Sequence, residues 1–169
     1  MLESQGTKAT PMNKTSMELK EDRELVISRT FNGPPRIVFD AYTRAELVKR
    51  WWAPKSHGEI VDCTAEVRVG GKYRYAMRTP DGTDVAFSGR YLEITPPSRL
   101  VYTQVFEQMA DAGEMTITVT FEELGGKTLL VSREVYPSKE ARDSALESGM
   151  EHGMKEAMDQ LDVLVASLC

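Results

Sequence analysis

Cysteine, histidine and tryptophan each occur only twice in the 169 residues, and each scarcity excludes something. Two distant cysteines, Cys63 and Cys169, make no disulfide framework and point to a reducing cytoplasm. The two histidines, His57 and His152, fall on separate predicted elements. With no spaced Cys/His cluster, no metal site and no cofactor are expected. No apolar run approaches the roughly 18–20 residues needed to span a bilayer, and "MLESQGTKATPMNKTSMELKEDR" has no signal-like apolar core, so membrane insertion is not expected. Basic residues are also short: 21 Lys and Arg against 26 Asp and Glu, net charge −5. Nucleic acid and anionic lipid both require a concentrated basic face, so neither is an expected partner.

What is present suits a single globular domain, with 41% hydrophobic and 28% charged residues. The polar, aperiodic start predicts a disordered tail over residues 1–22 and one domain over 23–169. "ELVISRTFNG" reads as a strand closed by Gly33-Pro34-Pro35. Ile37, Val38, Ala41 and Tyr42 then recur at helical spacing. Thr43-Arg44-Ala45-Glu46 fits a capping box for a second short helix that ends at Trp51-Trp52, before Pro54. From Gly58 to Tyr136 the period changes to two. Six runs are separated by Gly70-Gly71, Pro80-Asp81-Gly82, Pro96-Pro97, Asp111-Ala112-Gly113 and Gly125-Gly126, which predicts an antiparallel meander. From the N-cap Ser138 an apolar stripe predicts one helix of about 25–30 residues. The class is α+β, with the long helix covering the dry face of the sheet.

Two motifs lose their functional reading. "GGKT" at 125–128 lacks the first glycine of a phosphate loop, where Phe121 stands, and precedes a strand rather than a helix. Cys63 alternates with Val61, Ala65 and Val67, which predicts a buried, inert thiol. The Gly149-x-x-x-Gly153 spacing predicts close approach of the helix to the sheet.

The runs "ISRTFNGPPRIVFDAYT", "ELVKRWWAP", "VGGKYRYAMRTPDG" and "FSGRYLEITPPSRLVYT", in that order, resemble the START-like, Bet v 1-like (SRPBCC) superfamily. Within it they resemble the family related to the activator of the 90-kDa heat-shock chaperone ATPase. The resemblance covers about Glu24 to Leu168. It implies a helix-grip fold: a curved antiparallel sheet around the C-terminal helix, with a cavity between them closed by the two short helices. Relatives commonly carry Gly-Trp in the last helix, where this chain has Gly153-Met154.

Alternation supplies the expected cavity lining: Tyr73 and Tyr75 with Phe87, Tyr102 with Gln104, and Ile117 with Val119. On the last strand, Arg133 shares a face with Leu129, Val131 and Val135. A guanidinium there either orients the polar end of a ligand or emerges to pair with a surface Glu. Met150, Met154 and Met158 form an adaptable row on the helix. Trp51 is expected in the core, and Trp52 at the cavity mouth with His57.

Three functions follow as expectations. The first is noncatalytic binding of a small hydrophobic or aromatic molecule. The second is stimulation of the 90-kDa chaperone's ATPase. The third is cyclase- or hydrolase-like catalysis, with His57 and Tyr73, Tyr75 or Tyr102 as acid–base groups. No compact acid–base pair stands out for the third, and oligomeric state, monomer or dimer, stays open.

Overall fold

A computed structural model describes residues 14–169. Eight antiparallel strands form one sheet: β1 (Ser16–Lys20), β2 (Glu24–Phe31), β3 (Glu59–Ala65), β4 (Lys72–Arg78), β5 (Asp84–Thr95), β6 (Arg99–Phe106), β7 (Met115–Leu124) and β8 (Lys127–Val135). Their spatial order is β1-β2-β8-β7-β6-β5-β4-β3. The helices are α1 (Pro35–Thr43), α2 (Ala45–Val48), α3 (Lys139–Glu147) and α4 (Met150–Leu168). The six strands predicted between Gly58 and Tyr136 are all present. The Gly125-Gly126 turn has φ of 59° and 87°, as a tight hairpin requires, which disposes of the phosphate loop.

Because β2 lies beside the edge strand β1 and pairs with β8, the chain must cross from one end of the sheet to the opposite edge before β3. The α1–α2 segment makes that crossing. Pro35 supplies the fixed φ of a first helical turn. Ile37, Val38, Ala41 and Tyr42 are buried as their spacing predicts. In the same core, α4 buries Met158, Leu161, Leu164 and Val165, each contributing on the order of 1.5–3 kcal/mol. A polar staple holds β2 to α4. Arg29, almost fully buried, donates to Asp159 at 2.6 Å and to Asp162 at 3.1 Å.

The sheet bends at β5. Pairing with β6 slips between Tyr91 and Glu93, and at Gly89 a Cβ would lie 1.9 Å from the Thr103 carbonyl oxygen. Only glycine permits that approach, so the curvature is written into one residue.

Several expectations need correction. Residues 1–13 of the predicted tail lie outside the described residues, but Ser16–Lys20 is a strand paired with β2. This edge strand is solvated on nearly every residue, so it carries no apolar alternation to read. The capping box does not form. Thr43 ends α1 and its hydroxyl donates to the Phe39 carbonyl at 3.0 Å, while Glu46 pairs with Arg44. Ser138 does cap, accepting from the Ala141 amide at 3.0 Å. The helix it starts is broken, however, at Gly149, whose φ of 85° is left-handed. Gly153 faces Pro54 and His57 rather than the sheet.

Candidate functional site

The inner face of the sheet is organised in cross-strand rows. One row runs Leu25–Glu134–Ile117–Tyr102–Tyr91, and the next Ile27–Ser132–Val119–Leu100. Ile117 and Val119 are buried as predicted. Beyond the bend, Cys63, Tyr75, Phe87 and Phe106 form a row in which Phe87 and Phe106 stack at 5.0 Å.

These rows bring together most of the predicted lining. Trp52 is half-buried, with its ring 5.3 Å from Tyr75 and 5.1 Å from Phe87. Tyr73 lies 5.0 Å from Tyr75 and 5.6 Å from Tyr102. The Tyr73 hydroxyl donates to the Thr103 carbonyl at 2.6 Å and also lies 3.2 Å from Gln104 Oε1, which explains why Gln104 is tolerated here. Trp51 stands apart from this set. It is buried, packs 4.9 Å from Tyr42 and donates from Nε1 to the Ala41 carbonyl at 2.8 Å, so it is a structural pin for α1. Met158 is buried on α4, whereas Met154 and Met150 are half-buried.

Of the two readings of Arg133 the surface pairing holds, and its place in the cavity lining is corrected. Its side chain points outward, is 48% exposed and pairs with Glu24 at 3.0 Å. Leu129, Val131 and Val135 share that outer face, and Thr128, Leu130, Ser132 and Glu134 point inward instead. The misreading has a physical origin. β8 has apolar residues on both faces, and its inner polar groups are locally accommodated; Thr128, for example, donates to the Gly33 carbonyl at 2.7 Å.

The inward group missed in the sequence is therefore an acid. Burial pushes the Glu134 carboxyl up to about 7, and its one opposing influence is the Tyr136 hydroxyl, 3.5 Å from Oε1. No Lys, Arg or His couples to it among the described residues. Its charge in turn helps raise the pKa values of Tyr42, Tyr102 and Tyr136, though burial dominates each. Glu134 and Tyr102 keep part of their surface uncovered while both are strongly desolvated. Both side chains therefore lie in a concave part of the inner face, partly reached by solvent yet surrounded by protein.

The loop after α2 is tied to α4 by residues that no motif announces. Gln160 donates to the carbonyls of Trp51 and Ala53, both at 2.9 Å, and accepts from the Lys55 amide at 2.9 Å. Glu156 accepts from the Ser56 amide at 2.9 Å and from its hydroxyl. The Ser56 hydroxyl is also 2.9 Å from His57 Nδ1. The rings of His57 and His152 come within 6.2 Å, though their elements are far apart in sequence. Both are exposed, and His57 contacts Ser56 and Glu156 rather than a phenol. Cys63 is buried, as predicted, and burial pushes its thiol up to about 11.

No curated protein matches the chain. Among solved structures it is similar to a protein of Rhodobacter sphaeroides, at 27% identity and TM-score 0.84, covering 91% of this chain and 99% of that one. A protein of Arthrobacter aurescens is 28% identical with TM-score 0.81, covering 90% and 91%. One of Staphylococcus epidermidis is 29% identical with TM-score 0.74, covering 91% and 95%. The family model described as "Activator of Hsp90 ATPase homolog 1-like protein" matches residues 32–166. The helix-grip architecture and this match agree: the chain belongs to the Activator of Hsp90 ATPase homolog 1-like family of the SRPBCC, Bet v 1-like superfamily.

Proposed function

We propose that this protein is a noncatalytic carrier or sensor of a small hydrophobic or aromatic molecule, held between the sheet and α4. The observation that carries this reading is the pairing of partial exposure with strong desolvation at Tyr102 and Glu134, beside an aromatic wall from Trp52 to Tyr73. Apolar pockets with a few orienting polar groups are the usual form of small-molecule sites. Two free thiols, Cys63 and the exposed Cys169, suit residence in a reducing compartment such as the cytoplasm. No helix is long and apolar enough to cross a membrane among the described residues. The test is a native mass spectrum of gently purified protein with a thermal-shift screen of apolar and aromatic compounds. A retained small molecule or a saturable rise in melting temperature supports the reading. Neither result in any library member contradicts it.

A second reading takes the family's description literally: the partner is a 90-kDa heat-shock chaperone whose ATPase is stimulated. It is favoured by exposed apolar side chains at the β3–β5 end of the sheet, Val61, Val67, Val69 and Leu92. Unchanged chaperone ATPase turnover at saturating protein would remove it. For the cyclase- or hydrolase-like alternative, His57 lies against Ser56 and Glu156 on the surface and not beside the phenols proposed to act with it.

A further inference from the structure

The ligand's chemistry can be narrowed by asking which charges face inward. An anionic ligand beside these rows needs an inward cation, and the arginines of β2, β8 and α3 are all committed. Arg133 is outside with Glu24. Arg29 is neutralised by Asp159 and Asp162. Arg142 donates to the Glu21 carbonyl and contacts Asp143. What the inner face offers instead is Glu134, near the end of β8 between Leu25 of β2 and Ile117 of β7, both apolar. Its hydrogen-bonding is incomplete. A carboxylate has about four acceptor positions, and the structure fills one, by the Tyr136 hydroxyl at the outer limit of hydrogen-bond length. Tyr42 from α1 and Tyr102 from β6 are near enough for electrostatic coupling to the same carboxylate. Phenol oxygens also accept hydrogen bonds.

Resting on the cavity reading above, we propose that the polar end of the ligand is a protonated amine, a primary or secondary ammonium on an apolar or aromatic body, paired with Glu134 and accepted by the surrounding phenol oxygens. An ammonium brings up to three N–H donors to a site that holds one acid and several hydroxyl acceptors. It also cancels a charge that the protein leaves uncompensated in a dry environment, which a neutral donor does not. The raised pKa of Glu134 is the same fact seen without ligand: no cation offsets the burial of its charge, and a bound ammonium would do so.

The test compares three probes of one shape, 1-naphthylmethylamine, 1-naphthylmethanol and 1-naphthoic acid, by isothermal titration calorimetry with wild type and Glu134→Gln at pH 8. The expected result is that the amine binds wild type at least about tenfold more tightly than the alcohol, with the acid weakest, since a charge-assisted bond outweighs a neutral one. Glu134→Gln should bring amine and alcohol affinities together while alcohol binding persists. Equal affinity of amine and alcohol in wild type, or tightest binding of the acid, overturns the inference and leaves the cavity reading standing. If none of the three binds wild type, the inference falls, and the cavity reading is decided by its own native mass spectrum and thermal-shift screen. A readout that needs no variant is the pH profile. Amine affinity for wild type should rise from pH 5 toward pH 7 and then level, while alcohol affinity does not rise. A flat amine profile counts against Glu134 as the partner.

Discussion

Replacing Glu134 with glutamine should stabilise the protein, and only at higher pH. The carboxyl titrates near 4.5 when free and near 7 in the fold, because burial penalises its charge. Below about pH 4.5 both folded and unfolded chains hold the proton, and the group costs nothing. Between 4.5 and 7 the unfolded chain releases its proton while the folded chain keeps it, so stability falls as pH rises. Above 7 both are ionised and the deficit is constant. At about 1.4 kcal/mol per pH unit, the full deficit is about 3 kcal/mol. Glutamine keeps the shape and removes the ionisation. Urea unfolding at pH 8 should therefore find Glu134→Gln more stable by about 3 kcal/mol, or by about 6–12 °C in a thermal melt of a domain this size. At pH 4 the two proteins should agree within about 1 kcal/mol. A variant that is less stable at pH 8, or a difference that is the same at both pH values, would refute a buried, uncompensated acid.

Other substitutions probe the frame that positions it. Gly89→Ala drives a Cβ into the Thr103 carbonyl and should cost more than about 3 kcal/mol by urea unfolding. Ser138→Ala removes the α3 cap and should cost about 1 kcal/mol. Asp159→Asn, at a carboxylate 72% exposed, should cost under about 1 kcal/mol, while Asp159→Asn with Asp162→Asn strands the Arg29 guanidinium and should cost about 3–5 kcal/mol. Glu156→Gln should leave the melting temperature unmoved but raise the hydrogen-exchange rate of the Ser56 amide, which it now holds.

Much of this architecture was readable from periodicity. β3 through β8 follow apolar alternation and glycine or proline turns, and the Ser138 cap follows residue type alone. What was hidden has a physical reason in each case. β1 is solvated on both faces and so carries no pattern. Gly149 breaks the helix by a local left-handed conformation, while the apolar stripe runs on across it as though continuous. β8 has Leu129, Val131 and Val135 on one face and Leu130 with polar residues on the other, so amplitude alone selects the wrong face and brings Arg133 inward. That single inversion also hid Glu134. The signal that could have found it was the neighbouring strand. With Ile117 and Val119 set as inward, antiparallel pairing places Glu134 and Ser132 beside them. Gln160 and Glu156 were out of reach because their partners are backbone groups about 100 residues away.

The central claim, a ligand-binding hollow beneath α4, is tested most directly by methyl NMR of methionine-labelled protein titrated with 1-naphthylmethanol. Half-buried Met115 and Met154, packed against the core, and buried Met158 should shift saturably, whereas exposed Met109 should not. Shifts confined to Met109, or no saturable shift at any methionine, would contradict the account.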